Sequence, residues 1–299
     1  MTGVPPRPGE GVVCWNLGTA CNYRCPYCTQ QDKRDRTRLA GDTERFLGSF
    51  ARLPGRWEVK LSGGEPFVHP GLDAIASGLA ALGHRVSVVT NLSSPRERLA
   101  SFVAAARGRV GVFSASLHLP YVADVGEFLG RVLFVAERLR DAADPSLPAP
   151  GLGVTTVATR EALPLLPGLA RRFADAGVAF KVQPEKRSSR VVLYSEEERA
   201  LLLSLGGHNL TGEIEHRYLG RACWAGAAAL VLDDTGEAWR CYPARRARRD
   251  RLGSFLGEGF ALAPGPSPCT YETCYCTVPI ARGMMERRPE EESHALQDV

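Results

Sequence analysis

The chain repeats one pattern along most of its length: a short run in which apolar and polar positions alternate, then a longer run in which apolar residues return every three or four positions. In "EVKLSGG", residues 58–64, Val59 and Leu61 alternate with Glu58, Lys60 and Ser62, the period of a half-buried strand. Leu72, Ile75, Leu79 and Leu82 then step by three and four, as do Val125, Phe128, Val132, Ala136 and Leu139, which is a helix period. Read this way, the chain predicts six strands, at residues 12–18, 58–64, 85–91, 109–118, 151–159 and 179–185, with helices between them. Two helix starts carry their own signals. Ser94-Pro95-Arg96-Glu97 predicts a Ser cap with Pro in the first turn, and Ser195 with Glu198 predicts a capping box.

Consecutive strand-helix units imply an α/β fold with a parallel sheet. Six units are too few for a closed eight-fold barrel, so a partial barrel and an open doubly wound sheet both fit; either puts its chemistry at the carboxyl ends of the strands. After a helix at residues 196–205 the rhythm stops, and from about residue 211 the chain is irregular and cysteine-rich. This predicts a first domain over residues 10–210 and a second over 211–288.

Composition narrows the class. The 299 residues are 44% hydrophobic and 23% charged, with no apolar run long enough for a membrane span or a secretion signal, so a cytoplasmic globular protein without a membrane partner is expected. A net charge of +4 does not by itself imply nucleic acid. The one basic run, "ARRARRDR" at residues 244–251, lacks interleaved aromatics and reads as solvated surface rather than an RNA contact. Nine cysteines, an odd number, fit metal or redox chemistry better than a disulfide framework in a reducing compartment.

Three of those cysteines, Cys21, Cys25 and Cys28, stand in "ACNYRCPYC" directly after the first predicted strand. Thiolates suit zinc or an iron-sulfur cluster, but no Cys or His follows until His69, so zinc would lack a near fourth ligand. A [4Fe–4S] cluster on three cysteines keeps one iron open. The spacing CxxxCxxC with Tyr27 before the last Cys resembles the radical S-adenosylmethionine (radical SAM) superfamily, and "SGGEP" at residues 62–66 resembles that family's GGE motif. The resemblance covers about residues 10–190. It implies a partial (βα)6 TIM-type barrel, a [4Fe–4S] cluster on Cys21, Cys25 and Cys28, and S-adenosylmethionine (SAM) chelated to the open iron. It further implies SAM contacts from Tyr27, Gly63, Gly64, Glu65, Pro66, Asn91, Ser116, His118 and Gln183. Reductive cleavage of SAM would then yield a 5′-deoxyadenosyl radical that takes hydrogen from a substrate.

Strand alternation turns Lys60, Lys181 and Glu185 inward as candidate substrate contacts, although an inward Lys could equally pair with Glu185. Cys14 shares the inward face of the first strand; it could approach substrate or be a small buried hydrophobe.

Past the barrel, "LVLDDTGEAWRCYP" predicts a hairpin turning at Asp234-Thr235-Gly236 that brings Cys223 and Cys241 together. Cys223, Gly236 and Cys241, followed by Cys269, Cys274 and Cys276, resemble the opening of the SPASM and twitch extensions of radical SAM enzymes, which implies one auxiliary [4Fe–4S] cluster. Which of Cys274 and Cys276 ligates it is open, and zinc is the alternative occupant. The expected function is oxidation of a peptide or small natural product, with flavodoxin or ferredoxin as electron donor and, for a peptide, a separate leader-peptide-binding protein. A peptide epimerase with a Cys hydrogen donor, an RNA-modifying enzyme, and a non-catalytic iron-sulfur or zinc protein are the competing readings.

Overall fold

A computed structural model describes residues 10–30, 37–187, 190–205, 214–274, 278 and 282–286. Strand and helix alternate as predicted: β1 (Glu10–Asn16), α1 (Thr43–Ala51), β2 (Arg56–Ser62), α2 (Leu72–Ala81), β3 (Arg85–Thr90), α3 (Arg96–Ala105), β4 (Val110–Leu117), α4 (Val125–Asp141), β5 (Gly151–Ala158), α5 (Leu166–Asp175) and β6 (Ala179–Pro184). The strands β1 to β6 lie side by side in sequence order and all pair in parallel. In β2, Trp57, Val59 and Leu61 are buried under the helices while Glu58, Lys60 and Ser62 turn to the other face. β4 repeats this, with Phe113, Ala115 and Leu117 in the core and Ser114 and Ser116 opposite. The main core between sheet and helices is aromatic, built on Trp15, Phe46, Phe50, Phe102, Phe113 and Phe173, so the helices cover one face and leave the polar face for a site.

A short ladder of β7 (Lys186–Arg187) and β8 (Arg190–Val191) follows β6, and then α6 (Glu196–Ser204). Both halves of the capping box form: Ser195 Oγ accepts from Glu198 N at 3.2 Å and Glu198 Oε2 accepts from Ser195 N at 2.7 Å. Replacing Ser195 by Ala is expected to cost about 1 kcal/mol, read as a lowered denaturant midpoint at unchanged slope. The other predicted cap is corrected. Pro95, not Ser94, precedes α3, and its carbonyl accepts from the Arg98 and Leu99 amides, so the helix starts one residue later and Ser94 provides no side-chain cap. The Ser94 carbonyl instead accepts from the Arg131 guanidinium.

The remaining strands are β9 (Ala222–Cys223), β10 (Ala229–Leu232), β11 (Glu237–Trp239), β12 (Arg251–Ser254) and β13 (Ser267–Pro268), with α7 (Tyr242–Ala247) between β11 and β12. The predicted hairpin is β10–β11. Gly236 takes φ +86° in its turn, and Asp233 Oδ1 accepts from Thr235 N, Thr235 Oγ1 and Glu237 N. Its place in the fold is not visible in the sequence pattern. β10 pairs in parallel with β1, Val12 to Ala229 through Trp15 to Leu232, so the sheet runs β12-β11-β10-β1-β2-β3-β4-β5-β6. β1 is therefore a central strand. Val12 and Cys14 on its inner face pack in one apolar cluster with Ala228, Val231 and Met284, which explains its unbroken apolar run. The division expected at residues 210/211 lies outside the described residues. None of the described helices is long and apolar enough to cross a membrane.

Candidate active site

The loop after β1 is held against the end of β2 by backbone alone. Gly64 N donates to Gly18 O and Glu65 N to Ala20 O, each at 2.8 Å. This approach requires glycine: a Cβ on Gly64 would lie 1.8 Å from Ala20 O, and one on Gly63, which has φ +120°, would lie 2.6 Å from Gly18 O. The pair thus seats the cysteine loop on the strand end. Cys21, Cys25 and Cys28 then face one cavity of about 320 Å³, together with Gly63, Gly64, Glu65, Asn91, Ser116, His118 and Gln183. Of the residues that the resemblance implied for SAM, the structure brings all but Pro66 onto this wall; Pro66 is buried behind it in a single 3-10 turn.

Glu65 is 4% exposed and well bonded: Oε1 accepts from Thr90 Oγ1 at 2.7 Å and Phe67 N at 3.1 Å, and Oε2 accepts from Asn91 N at 2.7 Å. Burial pushes its pKa up, against the three hydrogen bonds that favour the charged form. A carboxylate has about four acceptor positions, so one remains for a donor in the cavity. Asn91 is more committed than its strand-end position suggested. Its Nδ2 donates to Asn22 Oδ1 at 2.8 Å and its Oδ1 accepts from Ser93 N at 3.0 Å, so its side chain anchors the cysteine loop.

His118 Nδ1 lies 3.0 Å from Tyr27 Oη and 3.6 Å from Cys25 Sγ. Burial lowers the His118 pKa to about 4, so the ring is neutral near pH 7. Burial also raises the pKa values of Tyr27 and Cys25; for Cys25 the Tyr27 hydrogen bond opposes this and the neighbouring Cys28 and Cys21 add to it. An aromatic bracket completes the loop's support: Tyr23 stacks on Tyr121 at 4.2 Å and meets the edge of His118, while Arg24 N donates to Tyr121 Oη at 2.8 Å. Sequence pattern does not single out Asn22, Tyr23 or Tyr121. The first two have a signal, since they sit between the motif cysteines; Tyr121 is 97 residues from its partner Arg24 and has none. His69, the nearest His in sequence, is occupied structurally by Ala40 O and Gly71 N.

A second cavity, of about 330 Å³, adjoins the first and shares Thr29, Gln30, Gly63, Val89 and Gln183 with it. Cys14 and Lys60, paired in register across β1 and β2, face it. Arg245 and Arg246 face it too, which corrects the reading of residues 244–251 as plain surface. Other members of that run are engaged: Arg249 lies over Tyr271 and Arg251 pairs with Glu237. Lys181 and Glu185 line neither cavity. Lys181 sits two residues below Gln183 on β6, about 6–7 Å deeper at strand rise. Glu185 follows the strand's last residue, where alternation no longer applies; its Oε1 accepts from Arg187 at 2.9 Å in a separate cleft with Arg160.

Cys223, Cys241, Cys269 and Cys274 pack together around Tyr218, Ala225 and Met285. Four segments deliver them. β9 pairs with β13, Ser267 opposite Cys223, and the ladder continues with Cys269 N donating to Arg221 O at 2.8 Å; Cys241 precedes α7; and Cys274 N donates to His216 O at 2.9 Å. Cys276 lies outside the described residues. Among the described residues no three His, Cys, Asp or Glu side chains are placed to hold a single metal ion. Both thiol groups are soft donor sets without carboxylates, and that chemistry fits iron-sulfur clusters.

Residues 15–142 match the model of the radical SAM superfamily. A GTP 3′,8-cyclase of Streptomyces coelicolor is 31% identical over 175 residues, 56% of this chain and 48% of that protein. One of Stenotrophomonas maltophilia is 37% identical over 82 residues, 25% of each chain. The chain thus spans about a quarter to a half of these curated relatives. Among solved structures, anSMEcpe with bound AdoMet and Cp18Cys peptide superposes with TM-score 0.57 at 13% identity, covering 84% of this chain and 79% of the other. SuiB of Streptococcus suis gives 0.54 at 13% identity, covering 84% and 64%. These two establish likeness of fold. Over residues 15–142, the motifs and the family match together identify a radical SAM domain within this chain.

Proposed function

We propose that this protein cleaves SAM reductively and uses the resulting radical to oxidise a natural-product or peptide substrate. The observation that carries the reading is the shared wall: three thiols from one loop, the Gly-Gly-Glu end of β2 and the polar ends of β3 and β4 face one cavity at the carboxyl end of the sheet. Bound there, a [4Fe–4S] cluster and SAM would supply the hydrogen-abstracting 5′-deoxyadenosyl radical. Cys21, Cys25 and Cys28 would hold the cluster. Glu65 would accept from the amino group of SAM through its remaining acceptor position, while Ser116, His118 and Gln183 line the remaining wall. Tyr27, which is buried, and the stacked pair Tyr23 and Tyr121 pack against the cysteine loop and hold it in place.

Cys223, Cys241, Cys269 and Cys274 would hold an auxiliary [4Fe–4S] cluster that accepts the second electron of an oxidation. A reduced flavodoxin or ferredoxin would supply the first electron to the SAM site, and a peptide substrate would need a separate leader-binding protein. The relatives named above span both substrate kinds: a GTP cyclase by name, and SuiB, solved bound to its precursor peptide SuiA.

The test is Glu65→Gln. SAM cleavage is expected to fall about 10-fold or more, as for loss of a charge-assisted hydrogen bond, with bound iron unchanged. A wild-type rate would show that the carboxylate has only its structural bonds to Phe67, Thr90 and Asn91.

A further inference from the structure

The second cavity carries a charge pattern that the proposed reaction does not require. Its walls bear three cations, Lys60, Arg245 and Arg246, and no Asp or Glu among the described residues. Lys60 is half-buried and makes no ion pair with a described residue. The nearest carboxylate to Arg245 is Asp233 at 4.0 Å, the outer limit of an ion pair. Three like charges converging on one partly enclosed space repel one another, and water screens them less there than on an open surface. Such a grouping is stabilised by an anion.

The position of this cavity matches a substrate chamber. It adjoins the space faced by Cys21, Cys25 and Cys28, with Thr29, Gly63 and Gln183 lining both. On its other side, Arg245 and Arg246 belong to α7, the helix that begins immediately after Cys241 of the second thiol group. Beside the cations, Ser62 Oγ and Tyr242 Oη both donate to Asn16 Oδ1, at 2.9 and 3.2 Å, and so fix the Asn16 side chain in the wall. A volume of about 330 Å³ is at the small end of ligand sites, which run from roughly 300 to 1,000 Å³. It suits a small molecule better than a peptide.

We propose that this chamber takes a small anionic substrate, with Lys60, Arg245 and Arg246 gripping its phosphate or carboxylate group. This deepens the reading above and rests on it only for what happens to the substrate after binding. Guanidinium groups recognise both oxyanions through paired N–H donors, and Lys60 adds a point charge from β2.

The proposal is tested by calorimetric titration of the full-length, iron-reconstituted protein, without SAM, against pyrophosphate, malonate and a short glutamate peptide. Pyrophosphate or malonate is expected to bind wild type. Lys60→Gln and the pair Arg245→Gln with Arg246→Gln should each weaken that binding about tenfold or more. Lys60→Arg should largely retain it, which separates loss of charge from loss of fold. Arg248→Gln, at an exposed position off the cavity, should leave it unchanged. A preference for pyrophosphate marks a phosphate ester, and a preference for malonate marks a carboxylate. Equal weakening by Arg248→Gln, or wild-type binding in the Lys60 and double-Arg variants, would overturn the assignment. Tighter binding of the peptide through the same residues would overturn the small-molecule class. Should wild type bind the anion here yet cleave no SAM when reduced, the anion site stands and the radical reading fails.

Discussion

Protein reconstituted anaerobically with iron and sulfide is expected to carry about eight irons per chain, four for each thiol group. Replacing Cys21, Cys25 and Cys28 together by Ala should remove about half of them and all formation of 5′-deoxyadenosine. The two thiol groups belong to separate clusters of contacts: one faces the cavity below β2 and β3, the other packs around Tyr218 and Met285. Loss of one set therefore leaves the other intact. The complementary change, Cys241→Ala, should deplete the second half of the iron while SAM cleavage in the absence of substrate continues. Iron analysis with quantification of 5′-deoxyadenosine reads both. Continued cleavage in the triple variant would sink the assignment of the cysteine loop, and full iron in the Cys241 variant would remove the auxiliary cluster from that group.

Gly64→Ala should damage the site severely without removing a single polar atom. The added Cβ would sit 1.8 Å from the Ala20 carbonyl oxygen, and both partners are backbone, so no side-chain rotation relieves the clash. Ala20 directly precedes Cys21, and the bonds from Gly64 N to Gly18 O and from Glu65 N to Ala20 O are what seat the loop. The loop must move by an ångström or more. A misplacement of that size costs on the order of 100-fold in rate. SAM cleavage is expected to drop by about that factor, with the Cys21–Cys28 iron bound more loosely to a chelator challenge. Gly41→Ala is the control, since a Cβ there meets nothing within 4 Å. Equal activity of the Gly64 and Gly41 variants would mean that the loop is not held by this contact.

Much of this protein is legible in local sequence because the signals are local. A period of two places Lys60 and Ser62 on one face of β2 and Leu61 on the other whatever the strand's neighbours are. Cys21, Cys25 and Cys28 lie within one short loop, and Gly63 and Gly64 follow directly from their strand, so their convergence needs only two adjacent parallel strands. The capping box at Ser195 is likewise a matter of four residues.

Tertiary structure decided everything that depends on residues far apart in the chain meeting. Nothing local in "AALVLDD" says that β10 will lie parallel to β1 more than two hundred residues earlier, yet that pairing makes β1 central and carries α7 to the cavity. Arg245 and Arg246 look like solvated surface in sequence because charge runs usually are; only the position of α7 turns them toward Lys60. Glu185 looks inward by parity but lies one residue past the strand, where the chain turns its carboxylate to Arg187. Asn91 looks open to a ligand until Asn22, 69 positions away, takes its amide. In each case the residue type and its period are properties of the chain, whereas its partner is chosen by packing between segments that sequence distance does not connect.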